Sequence, residues 1–150
     1  MRWLIDFLTN PYALTALSCW FAAQLIKVLI NLVIHKKVIW ERLIGDGGMP
    51  SGHSATVSSL ATIIGLIQGF DTPEFAIAGI LAVVVCHDAM GVRQETGKQA
   101  IMLNEIIRIL EGKELPEVKL KELVGHTPLQ VLAGILLGIG GACLMHFVVL

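Results

Sequence analysis

A short stretch between two apolar runs, residues 47–54, carries residue types that bind phosphate. It reads Gly-Gly-Met-Pro-Ser-Gly-His-Ser and leads into a run rich in Ala, Val, Leu and Ile. Because serine is a preferred helix N-cap, Ser51 is predicted to start a helix. The unpaired N–H groups of a first helical turn attract anions, and Gly52 lets a ligand approach them closely. The stretch predicts a phosphate site beside His53; the plainer alternative is a serine-capped Gly-Pro turn next to an incidental histidine.

The composition predicts a membrane protein. Hydrophobic residues make up 55% of the 150-residue chain and charged residues 15%, with a mean hydropathy of +0.74. This length fits a single domain, residues 1–150. The formal net charge of −1 argues against a nucleic-acid partner, which needs a clustered basic surface. Cys19, Cys86 and Cys143 lie in apolar runs without C-x-x-C spacing, so neither a disulfide framework nor a structural metal is expected.

Four apolar segments are long enough for a helix to cross most of a bilayer core about 30 Å thick. They cover residues 12–34, 53–70, 75–91 and 126–149. Residues 93–111 instead alternate apolar and charged residues at helical spacing, which predicts an amphipathic helix on the membrane or against the bundle. The predicted fold is an all-α integral membrane bundle of about four transmembrane helices plus this amphipathic helix. Residues 2–10 are interpreted as a short interfacial segment.

Polar residues interrupt the first apolar segment. Gln24, Lys27 and Asn31 are three and four residues apart, so they share one helix face. A lysine facing lipid would cost roughly 2.5–3.5 kcal/mol, so this face is expected to look into the protein. The alternative is a lysine whose ammonium group reaches back to the membrane surface.

Basic residues are distributed unequally between the two sides of the membrane. The connections 35–52 and 92–125 hold nine lysines and arginines, whereas Arg2 alone lies on the other side. The positive-inside rule therefore predicts a multi-pass cell-membrane protein with both connections in the cytoplasm and both termini outside. The nine are Lys36, Lys37, Arg42, Arg93, Lys98, Arg108, Lys113, Lys119 and Lys121.

This topology places several candidate ligands for an anion on one face. The helix start at Ser51, the helix end from His87 to Arg93, and the helix start at His126 all fall on the cytoplasmic side, and Lys27 lies in the nearer half of its span. An arginine, a lysine and helix N-termini together suit an oxyanion with several negative charges. Each histidine could instead simply pack at an interface.

At these residues the chain resembles a known family. Pro50-Ser51-Gly52-His53 is identical to the second signature of the type 2 phosphatidic acid phosphatase superfamily, which includes membrane lipid phosphatases and vanadium-dependent haloperoxidases. Residues 125–134, with Gly138 beyond, look like its third signature, a histidine followed by a glycine-rich helix. Together with residues 88–93 and the short length, the chain is most similar to the divergent small-membrane-protein branch of that superfamily, over roughly residues 24–140.

The resemblance implies a role for each matching residue. His126 would attack phosphorus to form a phosphohistidine, and His53 would protonate the leaving oxygen and later activate water. Ser51, the Gly52 amide and Lys27 would hold the phosphoryl oxygens. The scheme needs no metal or other cofactor. Covalent catalysis divides the displacement into two steps, and imidazoles titrate near the working pH.

The chain departs from the family at two arginine positions. Ile34-His35 stand where the first signature places Arg-Pro. Leu120 stands where the third signature places an arginine six residues before its histidine. Arg93 is the candidate substitute, with Lys119 or Lys121 behind it.

A third departure concerns the residue that orients the nucleophile. Gln130 replaces the aspartate four residues after the histidine. An amide can orient the ring but cannot stabilise an imidazolium by charge. Asp88 on a neighbouring helix is predicted to supply that charge, and His87 and Asn31 are predicted to support the site.

The leading hypothesis is a membrane lipid phosphate or pyrophosphate phosphatase acting through a phosphohistidine. Candidate substrates are phosphatidic acid, phosphatidylglycerol phosphate and isoprenoid phosphates. The alternative is a non-catalytic protein that binds or transports an anionic lipid, and a third hypothesis is an assembly subunit with a vestigial pocket. Gly65/Gly69 and Gly134/Gly138 offer close-packing faces, so a homodimer is one expectation.

Overall fold

The computed structural model describes residues 2–36, 48–110, 120 and 125–150 of the chain. These residues form six α-helices followed by one π-helical turn, and the described part contains no strand. The all-α prediction is therefore confirmed. The helices are α1 (Arg2–Leu8), α2 (Pro11–His35), α3 (Gly52–Gln68), α4 (Pro73–Met90), α5 (Val92–Leu110) and α6 (Pro128–Leu144), and the π-helical turn is Met145–Val149.

The long helices start where polar caps stand in the sequence. Asn10 caps α2 by accepting the N–H groups of Tyr12 and Ala13, and Thr72 caps α4 by accepting the N–H of Phe75. Both helices begin with proline, whose missing N–H costs nothing at a first helical position. The predicted segments 12–34 and 75–91 therefore match α2 and α4 to within two residues.

The central element is α3, which packs against α2, α4 and α6. Its buried positions are mostly small residues, and they let the neighbouring backbones approach closely. Gly138 of α6 is one such position: a Cβ there would lie 2.5 Å from the carbonyl oxygen of Ala55 and would overlap the hydroxyl of Ser58. The Ser58 hydroxyl also donates to the carbonyl of Ile135, at 3.4 Å. A seam of small residues thus joins α3 to α6.

Within the part of the chain that the structure describes, three stretches are long and apolar enough to cross a membrane, namely Pro11–Ile34, Pro73–Ile109 and Pro128–Val149. The predicted segment 53–70 is also a helix, but it ends at Gln68 because Gly69 leaves the helical conformation with φ +111°. At 17 residues α3 is about 25 Å long, shorter than a typical full crossing. The protein is therefore a helical membrane protein, and α3, with 17 residues, is as long as α6 and one residue shorter than α4.

The predicted amphipathic segment 93–111 corresponds to α5. Gly97 and Ala100 are buried, whereas Met102, Ile106 and Ile109 are exposed. The side chain of Asn104 binds the backbone of Leu120 twice, donating to its carbonyl and accepting from its N–H, both at 2.9 Å. Docking of the exposed apolar side chains on a membrane stays a prediction.

Substituting Gly138 tests the seam between α3 and α6. We expect Gly138→Ala to destabilise the protein by about 1–3 kcal/mol through overpacking, even though alanine favours a helix by roughly 1 kcal/mol. Gly140→Ala is the matched control, since a Cβ there meets nothing within 4 Å. Thermal unfolding in detergent measures both variants, and equal midpoints would contradict the seam.

Candidate functional site

The polar face of α2 is buried, as its spacing predicts. Gln24, Lys27 and Asn31 are only 6%, 3% and 8% exposed. Asn31 donates from Nδ2 to the carbonyl of Lys27 at 2.9 Å, so its amide supports the helix backbone beside the lysine. The 3% exposure of Lys27 shows that this residue lies inside the protein and not on its outer surface.

The Lys27 side chain passes the loop that leads into α3. A Cβ at Gly48 would lie 3.9 Å from Cδ of Lys27 and 4.0 Å from its Cγ. Gly48 has a φ of +84°, which favours glycine at this position. The loop that leads into α3 thus packs against the stem of the lysine.

Ser51 is the N-cap of α3, as predicted. Its Oγ accepts the N–H of Ser54 at 3.3 Å and the hydroxyl of Ser54 at 3.0 Å. Its own N–H donates to the carbonyl of Gln130 at 2.9 Å. Both Ser51 and Ser54 are fully buried. The first turn of α3 is therefore bound directly to the first turn of α6.

His126 immediately precedes the cap of α6 and is 2% exposed. Its N–H donates to the carbonyl of Ala89 at 2.9 Å, which ties it to the end of α4. Thr127 and Gln130 form a capping box: the Gln130 N–H reaches the Thr127 hydroxyl, and the Thr127 N–H donates to Gln130 Oε1 at 3.1 Å. The same Oε1 lies 3.3 Å from Nδ1 of His126.

This capping box determines how the His126 ring is protonated. A backbone N–H can only donate, so the Gln130 atom that faces Thr127 must be its carbonyl oxygen. That oxygen accepts a second hydrogen bond from Nδ1 of His126, which must then carry the proton. In the neutral ring, Nε2 then holds the lone pair. A buried histidine in this tautomer can act as a nucleophile.

The structure brings the two predicted catalytic histidines together. The ring centroids of His53 and His126 are 6.3 Å apart, and the ring planes meet at 61°. His53 stands on the first turn of α3 and is half-buried. One imidazole is therefore close enough to serve a phosphoryl group attached to the other.

Arg93 and Asp88 form an ion pair at the junction of α4 and α5. Nε of Arg93 lies 2.8 Å from Oδ2 of Asp88, and both side chains are more than a third exposed. A Cβ at Gly125 would lie 2.7 Å from the carbonyl carbon of Arg93, so the chain leading to His126 rests on the start of α5. The action of Asp88 as a counter-charge for His126 stays a prediction. His87 is exposed on α4.

Trp20 and Gln24 border the site, although the sequence analysis did not include them among the site residues. A Cβ at Gly52 would lie 3.5 Å from Cδ1 of Trp20 and 3.6 Å from Nε2 of Gln24. Both residues therefore face the first turn of α3. The available signal is their spacing, since Trp20 and Gln24 precede Lys27 by seven and three residues on one helix face.

The remaining candidates lie partly outside the described residues. Lys119 and Lys121 lie outside the described residues. Leu120 is described, and its backbone is bound to Asn104. Within the described ranges, no three His, Cys, Asp or Glu side chains are grouped so that they could hold a metal ion.

Comparison with known proteins adds a family assignment. The model of the Divergent PAP2 family matches residues 8–140. The chain is 39% identical over 147 residues to the uncharacterized membrane protein YuiD of Bacillus subtilis (strain 168). The aligned region covers 90% of this chain and 93% of that protein. No solved structure matches the chain.

A methyl group at residue 52 tests whether the start of α3 is an anion site. Gly52→Ala should leave the unfolding temperature unchanged, because the Cβ makes only ordinary contacts of 3.5 Å or more. It should weaken orthovanadate binding about tenfold or more by filling the space in front of the first-turn amides. Calorimetric titration measures the affinity, with Gly79→Ala as control, since a Cβ at Gly79 meets nothing within 4 Å. Unchanged affinity in Gly52→Ala would exclude the anion site.

Proposed function

The chain belongs to the divergent PAP2 family, and from that membership we propose that it hydrolyses a lipid phosphate or pyrophosphate through a phosphohistidine intermediate. The observation that supports this most directly is the placement of His53 on the first turn of α3 and of His126 just before the cap of α6, with ring centroids 6.3 Å apart. One imidazole forms the covalent bond and the other moves the protons.

In the first step, Nε2 of His126 attacks phosphorus. The P–N bond forms as the bond to the leaving oxygen breaks, and protonated His53 gives that oxygen its proton. In the second step His53 takes a proton from water, and the resulting hydroxide attacks phosphorus and breaks the P–N bond. Inorganic phosphate leaves, and both histidines return to their starting states.

The phosphoryl oxygens are held by groups around the start of α3. Lys27 supplies positive charge from a site only 3% exposed, where a charge interacts more strongly than in water. The Gly52 amide belongs to the first turn and points along the positive end of the helix dipole. Ser51 accepts two hydrogen bonds from Ser54, which leaves its hydroxyl proton for a phosphoryl oxygen. Arg93 adds charge from the α4–α5 junction.

Gln130 gives this site a different electrostatic balance from a histidine–aspartate pair. Its carbonyl oxygen holds His126 in the nucleophilic tautomer without adding negative charge. The imidazolium character that develops during attack is therefore stabilised by the dipole of an amide, and the carboxylate of Asp88 is the proposed charged partner in the neighbourhood.

A second function is favoured by the same residue. With Gln130 in place of aspartate and Leu120 in place of arginine, the pocket could bind or transport an anionic lipid without chemistry. Retention of both His53 and His126 supports hydrolysis over this alternative.

Phosphate release in the presence of EDTA tests the proposed reaction. With a panel of lipid phosphates in detergent or nanodiscs, His126→Ala should lower release by about a thousandfold or more while lipid binding persists. His146→Ala is the matched control, because it removes a histidine from the opposite end of the last helix. Release by His126→Ala at the wild-type rate would refute the covalent step. Binding without release by the wild type would instead favour the transport alternative.

The proposed orientation places the site on the cytoplasmic side, so that the head group arrives from the cytoplasm while the chains stay in the bilayer. Labelling of single cysteines in a cysteine-free background tests this orientation. Asp71→Cys should react with an impermeant maleimide in intact cells, whereas Lys98→Cys should react only after permeabilisation. Both positions are exposed. The reverse pattern would place the site on the outer face.

A further inference from the structure

Gln24 is a buried polar residue with no role in the mechanism above. Its side chain is 6% exposed, and its Oε1 is fully buried. Within residues 2–36, 48–110, 120 and 125–150, no hydrogen-bond donor reaches that oxygen. The Nε2 of the same amide lies 3.6 Å from the Cβ position of Gly52, so the amide lies beside the first residue of α3. A buried acceptor at this place is expected to receive a donor from a ligand.

The chemistry of the surrounding groups restricts what that donor is. Lys27, the Gly52 amide and the Ser51 hydroxyl proton are all donors, and they suit phosphoryl oxygens. A carbonyl oxygen is an acceptor and would be repelled by those same oxygens. The group that meets Oε1 must therefore carry an O–H or N–H, which an ionised phosphoryl oxygen does not.

The position of Gln24 along α2 indicates which part of the ligand this is. Gln24 lies about 4.5 Å farther from the C-terminal end of α2 than Lys27 and is therefore nearer the middle of that helix. Trp20 continues the same face one turn farther and is 41% exposed on the outside of the bundle. The face therefore runs from the lysine, past the Gln24 amide, to a residue that is exposed at the surface of the bundle. A lipid phosphate that follows this line places the alcohol portion of its head group at Gln24.

Resting on the proposed phosphatase function, we propose that Oε1 of Gln24 accepts a hydrogen bond from a free hydroxyl next to the phosphate ester. The preferred substrates are then lipid phosphates with a glycerol-type hydroxyl on the carbon beside the phosphorylated one. Phosphatidylglycerol phosphate and lysophosphatidic acid carry such a hydroxyl. Phosphatidic acid and isoprenoid phosphates lack it. Gln24 thus acts as a specificity-determining residue.

A matched pair of lipids tests this assignment. The first is 1-oleoyl-glycerol 3-phosphate, and the second is its 2-deoxy analogue, 3-oleoyloxypropyl phosphate, which lacks only the hydroxyl. The wild type should hydrolyse the first with a kcat/KM about tenfold or more above the second, because a buried acceptor left unpaired penalises the deoxy lipid. Gln24→Met keeps the side-chain length without the acceptor. It should reduce kcat/KM for the hydroxylated lipid alone and bring the ratio of the two lipids to within about twofold of unity.

Two further variants complete the design. Gln68→Met makes the same replacement at the far end of α3, where the residue is exposed, and should keep the wild-type ratio. Gln24→Glu keeps an acceptor and adds a negative charge, so it should keep the preference for the hydroxyl while lowering kcat/KM for both lipids. Because it retains the acceptor, it also reports on the hydroxyl if Gln24→Met fails to fold.

The ratio and the absolute rates separate the two proposals. The hydroxyl contact would be overturned, with phosphatase activity still established, by equal wild-type rates on both lipids or by an equal loss on both lipids in Gln24→Met. An equal loss would indicate that Gln24 contacts a protonated phosphoryl oxygen or the attacking water. If neither lipid is hydrolysed, the proposed function fails, and binding of the two lipids in nanodiscs decides the contact. A tenfold higher wild-type affinity for the hydroxylated lipid that disappears in Gln24→Met would support the hydroxyl contact. Equal affinities of the wild type for the two lipids would overturn it.

Discussion

The close approach of α3 to α6 is the contact on which the rest of the site depends. Gly134 and Gly138 bring the α6 backbone against Ser51, Ala55 and Ser58, at distances that leave no room for a side chain. The N–H of Ser51 then reaches the carbonyl of Gln130, so the first turns of both helices are held at one level. Because His53 and His126 stand on or beside these turns, their separation follows from backbone packing, not from side-chain flexibility. A rigid pair of this kind needs no rearrangement to exchange protons with a bound phosphate.

The membrane setting makes this packing possible and gives the polar groups their strength. Since lipid provides no hydrophobic force between helices, small residues and hydroxyl-to-carbonyl hydrogen bonds hold α3 among its neighbours. Ser58 and Thr62 each donate to a carbonyl four residues earlier, so their hydroxyls are satisfied within the apolar bundle. The same water-poor surroundings leave Lys27 and the Gln24 amide dependent on protein or ligand partners. Structural hydroxyls and site groups thus lie on the same buried surface.

Much of the fold could be predicted because helix signals are local. Apolar length identified α2, α4 and α6, and the cap at Ser51 located the start of α3. The end of α3 at Gln68, two residues before the predicted end, was not predicted, because Gly69 stands in an apolar run and only the structure shows that its backbone leaves the helix. The pairing of His53 with His126 could be inferred from motif and sidedness together. The sequence did not allow us to infer the Asp88–Arg93 ion pair or the placement of Trp20, because each depends on how side chains and helices meet in space.

The sequence by itself determined the membrane class, the helix starts and the residue types of a phosphate site, because apolar length, capping and motif are properties of neighbouring residues. The tertiary structure alone decided which groups surround the start of α3. Gln24 faces Gly52 because α2 crosses α3 at that level, and Gln130 directs its carbonyl oxygen to His126 because the Thr127 N–H orients the amide. The first of these contacts joins residues 28 positions apart, and the second depends on the direction of one amide group. Neither the crossing angle of two helices nor the orientation of a side-chain amide is encoded in a local pattern.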